Sequence, residues 1–277
     1  MSGNEVVVTL WFVSVTNPAE VLRAEPRADR GFGRKLLAQM NPAWPITPIG
    51  QFPLNRSAGV STGEFYIGGY RGVTVIQTLI DDITELSTID PALLEARPTP
   101  DVYVIGTGTE SSFGGFAHFS GSVLKRSFCA FRDHVIEDTG LPEPFEGSFW
   151  SGEHDDDYLG GINLPFHPAE LAHAAQTHWI GIDVGPDGPD IQVVGYAIDG
   201  RPEPRLDEPK QGSGEDEPGS QVEVYDDYEV DTRGRGDEFT QLADATNAAA
   251  KRVYRDTRSR LGAWWKKVDR KLRHLDK

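Results

Sequence analysis

The sequence VVVTLWFVSV, residues 6–15, decides the fold. Eight of these ten residues are apolar, and the run does not alternate between apolar and polar positions. Such a run is typical of a strand that is buried on both faces. It is also only about half as long as a membrane-spanning helix requires. We therefore predict a strand with other parts of the chain packed on each of its faces.

Outward from this run, six further segments have strand-like patterns. Two pairs of them are joined by short turns, Tyr70–Gly72 and Ser120–Ser122, which is the pattern of a β-hairpin. Because a hairpin pairs its strands antiparallel, we predict an α+β fold, or an α/β fold with a mixed sheet. With the first strand, this makes about seven strands; the other six are Glu64–Gly69, Val73–Leu79, Val102–Ile105, Phe113–Phe119, Val123–Phe131 and Ile191–Ile198.

About four helices are predicted to pack on this sheet. Three of them begin at a proline, a residue that favours the first helical turn. Asp81 and Asp82 are expected to begin a further helical turn. Residues 42–53 contain four prolines and are expected to run extended or in turns, and residues 138–166 are expected to form a long loop. The four helices are Pro18–Leu22, Asp29–Met40, Pro91–Ala96 and Pro168–Trp179.

Charge is divided unevenly along the chain. The formal net charge is −16, with about −14 on residues 1–202, about −9 on residues 203–238 and about +7 on residues 239–277. We interpret these zones as an α+β domain, an acidic linker expected to be disordered, and a detached basic amphipathic helix. Binding to phosphates requires clustered Lys and Arg, so residues 1–202 are not expected to bind nucleic acid.

The single cysteine and the first residues of the chain bear on localisation. Cys129 lies in an apolar run and is interpreted as a small buried residue of a protein from a reducing compartment. The first residues lack the basic stretch of a secretory signal. The expected location is the cytoplasm, with a peripheral position at the inner membrane surface if the C-terminal helix binds lipid.

The C-terminal segment 239–277 has the most regular pattern. It contains no proline and only one glycine, Gly262, which favours a long helix. On a helical wheel, apolar residues and two tryptophans lie opposite the Lys and Arg residues. Such a helix can lie on an anionic membrane, or dock on a protein partner, a second copy or its own domain. The residues expected to make this contact are Leu261, Trp264, Trp265, Lys266, Lys267, Val268, Arg270, Lys271 and Leu272.

A buried ion pair is predicted at Arg126. In a strand, this arginine shares the apolar side with Leu124 and Phe128. A buried arginine needs a carboxylate partner, which Glu137, Asp138 or Glu146 can supply. The alternative at this position is a site that binds an anion.

The 138–168 loop is the expected position of a pocket. Its aromatic residues can anchor it by burial, and long ordered loops often carry function. The interpretation that the aromatics only anchor the loop stays open beside this one. The candidate pocket residues are Arg126, Glu146, Trp150, Glu153, His154 and His167.

The same loop contains candidate ligands for a divalent metal, the one cofactor considered. Imidazole and carboxylate groups are common metal ligands. No H-E-x-x-H or C-x-x-C spacing is present, and His173 and His178 diverge by about 140° around a helix. The candidate metal ligands are His154, Asp155, Asp157 and His167.

Four motifs of the chain resemble those of an uncharacterised, mainly actinobacterial family that is known only as a domain of unknown function. They are GSVLKRSF (121–128), IEDTGLPEPFE (136–146), FWSGEH (149–154) and LPFHPAEL (164–171). The resemblance covers roughly residues 5–200. It implies a bacterial cytoplasmic protein, and it implies no activity and no site residues.

Three functions are compatible with these patterns. The absence of a catalytic motif favours a non-enzymatic binding or regulatory module, tethered through its C-terminal helix to an anionic membrane surface or a protein partner. A metal-assisted hydrolase would use the 138–168 loop. An immunity-like accessory protein would use its acidic domain to bind a basic partner.

The tether hypothesis predicts that the full chain binds vesicles containing phosphatidylserine and that a chain ending at Arg201 does not. Each Lys or Arg near an anionic surface contributes about 1 kcal/mol, so truncation should weaken binding at least tenfold. Vesicle co-sedimentation at low and high salt measures this. Equal binding by both chains would show that the segment is not a membrane tether.

Overall fold

The computed structural model describes residues 4–154 and 163–204. Within these ranges the chain forms one nine-stranded sheet with helices on both faces, an α+β fold. The strands are β1 (Glu5–Val13), β2 (Thr47–Pro53), β3 (Glu64–Tyr70), β4 (Val73–Asp81), β5 (Asp101–Gly108), β6 (Gly114–Ser120), β7 (Val123–Ala130), β8 (Val135–Gly140) and β9 (Gln192–Ala197). The helices are α1 (Pro18–Arg23), α2 (Arg30–Met40), α3 (Pro91–Leu94), α4 (Gly147–Trp150) and α5 (Pro168–Ile180), with 3₁₀ turns at Leu54–Arg56, Leu86–Thr88 and Pro144–Glu146.

Strand β1 lies in the middle of the sheet, whose order is β2-β9-β3-β4-β1-β5-β6-β7-β8. It pairs antiparallel with β4 from Glu5↔Asp81 to Val13↔Val73, and with β5 on its other side. Both of its faces are buried: Leu10 and Trp11, on opposite faces, are fully inaccessible to solvent. The prediction from the apolar run is therefore confirmed.

The two faces of the sheet are covered differently. We call the side with Val6, Val8, Leu10 and Phe12 face A, and the side with Val7, Thr9 and Trp11 face B. Face A is covered by α2 and by the segment from Leu86 to Leu93. Face B is covered by two separate apolar clusters, which lie over different halves of the sheet.

The first cluster of face B packs α1 and the chain from Ile180 to Ile191 around Trp11. The second packs α5 and the 145–150 segment around Phe116 and Phe128. Helix α5 approaches β6 closely, because Gly114 places no side chain between β6 and the backbone of Pro168 and Ala169.

The seven predicted strands and both predicted hairpins are present. The alternative of a mixed sheet is wrong, because every strand pair among the described residues is antiparallel. The prediction missed the two edge strands, β2 and β8. Strand β2 lies in the proline-rich segment. Pro48 borders a bulge and Pro53 ends the strand, and proline is tolerated at such positions because the missing N–H is not needed for strand pairing there.

All four predicted helices are present, with α4 in addition. The helical turn expected at Asp81 and Asp82 is wrong. Asp81 is still paired with Glu5 in the sheet, and Asp82 has φ 59° while its amide donates to the carbonyl of Asn4. Pairing with β1 therefore overrides the local preference of the two aspartates for the first turn of a helix.

No helix among the residues that the structure describes has the length and apolarity needed to cross a membrane.

The common face predicted for Leu124 and Arg126 is wrong. The pairing of β6 with β7 shifts between His118↔Arg126 and Phe119↔Leu124, which is a β-bulge. A bulge inserts an extra residue and reverses the alternation beyond it. Leu124 therefore packs on face A, whereas Arg126 lies on face B over Phe116 and Phe128.

Candidate functional site

A cavity of about 180 Å³ lies over the middle of face B. Its floor is formed by the three central strands of the sheet. Thr9 of β1 pairs with Gln77 of β4 on one side and with Ile105 of β5 on the other. Val7 and Thr107 continue the floor toward one end of these strands. The most regular part of the fold therefore positions these side chains.

The walls of the cavity come from α5 and from two loops. His173 and Gln176, one turn apart on α5, form one wall. Leu54 and Asn55, in the turn after β2, and Val184, in the loop after α5, form the other.

Asn55 fixes the loop that forms part of this wall. Its side-chain amide donates to the carbonyls of Gly185 and Pro189 at 2.9 and 3.1 Å, and its oxygen accepts from the amide of Ile191. The cavity is thus bounded by elements with defined positions, as is usual for pre-formed ligand sites.

The cavity exists because the two apolar clusters of face B do not meet at this point. The first cluster includes Trp11 and the second includes Ile105. Between them the floor presents polar side chains, Thr9 and Gln77, in place of aliphatic ones. A seam between two packed layers is a usual place for a small-molecule site.

Two of the polar groups that line the cavity are hydrogen-bonded to each other. Gln77 donates from Nε2 to Oγ1 of Thr9 at 3.0 Å, and this is the bond that joins the two floor residues. Gln176 as a residue is only 7% exposed, but neither atom of its amide is among the buried side-chain atoms that lack a hydrogen-bond partner. The indole N–H of Trp11, in the first cluster of face B, is such an atom.

The mouth of the cavity is marked by a close contact between an imidazole and a carboxylate. His173 Nε2 lies 2.9 Å from the carboxylate of Asp183, and both side chains are about half exposed. Asp183 also accepts from the amide of Gly185, which ties this carboxylate to the loop. His178 instead lies near Glu143, on the other side of α5, as the predicted divergence of the two histidines requires.

Arg126 forms the buried ion pair expected from the sequence. Its Nε and Nη2 donate to the two carboxylate oxygens of Glu146 at 2.9 and 2.7 Å, and both side chains are at most 2% exposed. Asp138 pairs with Nη1 from the half-exposed edge of the sheet. The third candidate partner, Glu137, points to face A, where it accepts from the hydroxyl of Ser127 at 2.7 Å.

Three of the other loop residues singled out in the sequence contact neighbours in the same loop, and Trp150 also packs on Phe128 of β7. Trp150 packs edge-on against Phe166, with ring centroids 4.9 Å apart. His154 stacks on Phe149 at 3.9 Å, and exposed Glu153 accepts from Ser151. His167 occupies the residue before α5. Neither these four residues nor Arg126 and Glu146 line the cavity over face B.

The metal hypothesis lies partly outside the described residues, because Asp155 and Asp157 belong to residues 155–162. Among the residues that the structure does describe, no group of three or more His, Cys, Asp or Glu side chains could hold a metal ion. The metal site thus stays a prediction. The same holds for the contact residues of the C-terminal segment, which lies beyond residue 204.

A second polar cluster surrounds His118 on face B. Its Nε2 lies 3.0 Å from Asp101 and its Nδ1 3.7 Å from Glu143, and its ring packs on Tyr103 and Trp179. Burial lowers the pKa of His118, but the two carboxylates outweigh it, so the net pKa is raised above 6.5. The proximity of His118 lowers the pKa of Glu143, which accepts a hydrogen bond from the indole N–H of Trp179.

Comparison with known proteins identifies the family and nothing further. The sequence profile of a family of unknown function, DUF6928, matches residues 7–196. The chain belongs to this family. The resemblance noted from its motifs is thereby confirmed at the level of a family of unknown function. No curated protein and no solved structure matches the chain.

The match to DUF6928 spans β1 to β9 and so includes every residue that lines the cavity. Sequence reasoning missed these residues, although one signal was present. Thr9 interrupts an otherwise apolar run, which places a polar group in the middle of a buried strand. Nothing in the sequence indicates that Gln77 and Gln176 lie beside it.

The Arg126–Glu146 pair predicts a large stability effect. Glu146→Gln should lower the free energy of unfolding by about 3 kcal/mol, because it leaves the buried guanidinium incompletely neutralised. Asp138→Asn, at the half-exposed partner, should cost less than about 1 kcal/mol. Urea unfolding measures both, and equal effects would contradict the different roles of the two carboxylates.

The His118 cluster predicts a pH-dependent contribution to stability. Because the pKa of His118 is raised in the folded protein, this residue contributes to the free energy of unfolding. The contribution is complete below pH 6.5 and is lost as the pH rises through the folded-state pKa. A lowered Glu143 pKa gives stability that is present above pH 4.5 and is lost on acidification. His118→Gln should therefore destabilise the protein more at pH 5.5–6.5 than at pH 9.

Urea unfolding across this pH range measures the effect of His118→Gln. His134→Gln, at an exposed histidine beside Asp133, is the control and should show a much smaller dependence on pH. A constant difference between wild type and His118→Gln from pH 6 to pH 9 would disprove the assigned cause.

Proposed function

We propose that the domain is a non-enzymatic binding module and that the cavity over β4, β1 and β5 is its ligand site. The observation that carries this proposal is the position and lining of the cavity. It opens between the two apolar clusters of face B, and the central strands and α5 present hydroxyl and amide groups to it. A ligand that pairs with these groups and covers the aliphatic ones would bind at this seam.

The character of the lining favours binding over catalysis. His173 is the one titratable side chain among the lining residues, and its Nε2 already pairs with Asp183 at the half-exposed mouth. The other polar lining groups are hydroxyls and amides, which suit recognition of a ligand.

The sequence supports a regulatory use of such a module. Residues 239–277 have the pattern of a basic amphipathic helix, and the acidic segment 203–238 separates them from the domain. A ligand-binding domain joined in this way to a membrane- or protein-binding segment can report the ligand's presence at that surface. The alternatives of a hydrolase and of an accessory protein with a basic partner have no comparable support from the described geometry.

Ligand binding is tested by thermal unfolding of the full chain in a set of uncharged compounds of six to ten non-hydrogen atoms. A ligand at about 100 times its Kd adds about 2.7 kcal/mol, or a rise in Tm of roughly 5–10 °C. Val184→Trp, which narrows the cavity, should abolish this rise. The proposal is wrong if no compound raises Tm, or if every active compound stabilises the variant equally.

The cavity lining also predicts the relative size of two stability changes without ligand. Gln176→Met conserves the volume of a side chain at the cavity wall, so the free energy of unfolding should change by about 1 kcal/mol or less. Asn55→Leu removes an amide with three hydrogen bonds and should decrease it by about 2–3 kcal/mol. Urea unfolding of both variants measures this, and an equal loss of stability in both would make Gln176 a structural residue.

A further inference from the structure

We infer that the basic C-terminal segment, residues 239–277, docks on an acidic surface at the β8 edge of its own domain. While docked, the segment is unavailable to a membrane or to a protein partner. The inference does not require the cavity over face B to be a ligand site. The residues of this surface, which we call the β8 surface, are Asp133, Val135, Asp138, Trp150 and Glu153.

The β8 surface contains exposed apolar side chains. Among residues 4–154 and 163–204, every large hydrophobic side chain that is exposed lies between Val123 and Trp150. Two of them are close together on face B. Val135 lies opposite Ala130 of β7, and Trp150 packs on Phe128, two residues from Ala130. Because β8 is an edge strand, and edge strands are usually protected by charge, proline or a covering segment, these side chains indicate an interaction surface.

The same surface is acidic. Residues 133–153 contain six Asp or Glu residues and no Lys or Arg. Arg126 neutralises the buried carboxylate of Glu146, so the ion-pair cluster keeps one net negative charge, which half-exposed Asp138 presents to solvent. An occupant should therefore carry positive charge together with apolar side chains. The other exposed carboxylates of the surface are those of Asp133 and Glu153.

The C-terminal segment has this composition. Residues 239–277 carry about +7, and their sequence predicts an amphipathic helix with two tryptophans. Lys267 and Lys271 follow Trp264 by three and seven residues, spacings that place side chains on one side of a helix. A face that buries Trp264 against Val135 and Trp150 would therefore also bring lysines to the carboxylates around them.

Two other occupants are disfavoured by charge. A second copy of the domain would bring the same carboxylates against one another, and an anionic membrane would oppose them with its own negative charge. The acidic segment 203–238, with about −9, is repelled in the same way. Residues 239–277 are the basic part of this chain.

The chain leaves the domain at a fixed point near the opposite edge of the sheet. The carbonyl of Arg201 accepts from the hydroxyl of Thr47, and its guanidinium pairs with Glu64. Seven strand spacings of about 4.8 Å separate β9 from β8, or about 34 Å in all. Because neighbouring strands are antiparallel throughout, the end of β9 and the start of β8 lie at the same end of the sheet.

The length of the intervening chain matches this distance. Residues 205–238, about 34 residues, are predicted from their composition to be a coil, whose root-mean-square length would be about 30–35 Å. The effective concentration of a tethered segment is highest when the tether matches the span, and it then reaches about 1 mM. A contact with an intrinsic Kd of about 0.1 mM would therefore keep about nine-tenths of the chains docked.

The experiment measures paramagnetic line broadening in the full chain with a nitroxide attached at Asp269→Cys. Cys129 is fully buried, so the label reacts at residue 269. We expect strong broadening of the amide signals of β8 and of the Trp150 indole, and little broadening at β2, the other edge of the sheet. Because salt screens exposed charges, the broadening at β8 should fall by at least half between about 50 mM and about 500 mM salt.

The variant Val135→Lys tests the surface itself. It replaces an apolar contact with a charge of the same sign as the segment and should weaken docking about tenfold, so the broadening at β8 should fall by about half. Val123→Lys is the matched control, because Val123 is also an exposed valine but lies about 23 Å along β7 from Ala130. It should leave the broadening unchanged. Glu153→Lys, at an exposed position outside the sheet, should act like Val135→Lys without a change in β8.

Three results would overturn the inference. Absent broadening, or equal broadening at β2 and β8, would show that the segment has no preferred surface on the domain. Broadening at β8 that arises only between a nitroxide-bearing copy and a separate isotope-labelled copy would make the occupant a second chain. Broadening that neither Val135→Lys nor Glu153→Lys reduces would place the contact elsewhere. None of these results bears on the cavity, so the proposed function is tested separately.

Discussion

A strand with hydrogen-bonded neighbours on both sides and apolar side chains on both faces must be covered by protein on both faces. Strand β1 is in this position: its backbone pairs with β4 and β5 along its length, and Leu10 and Trp11 are fully buried on opposite faces. Burial of apolar area on this scale is the main favourable contribution to folding. Strand β1 therefore requires a covering layer on face A and another on face B. These two layers determine where the rest of the chain lies.

Face B shows the functional consequence of this requirement. It is covered by two apolar clusters and not by one, and the polar side chains of Thr9 and Gln77 lie at the seam between them. Aliphatic residues at these positions would let the clusters join and would fill the cavity. A polar seam with an open cavity is less stable than a filled core, and such a local cost is typical of binding sites.

Helix α5 connects the cavity with the polar clusters at the other end of the sheet. On one side it contributes Gln176 to the cavity wall; on the other, Trp179 stacks on Tyr103 and donates its indole N–H to Glu143. Glu143 begins the turn that ends in Glu146, the buried partner of Arg126. Trp179 thus joins α5 to the His118 cluster, and neither that cluster nor the Arg126 pair lines the cavity.

The sequence by itself determined the local features of this protein: the buried β1 strand, both hairpins, the four proline- or aspartate-initiated helices, and the need of Arg126 for a carboxylate. These follow from periodicity, turn residues and caps, which act between residues close in the chain. The tertiary structure decided the rest. The bulge that turns Leu124 away from Arg126, the edge strands, the choice of Glu146 over Glu137, and the meeting of Thr9, Gln77 and Gln176 all depend on strand order and register. Strand order and register are set by the packing of segments that are distant in the chain. Register decides which side chains meet, because a shift of one residue in strand pairing moves each side chain to the opposite face of the sheet.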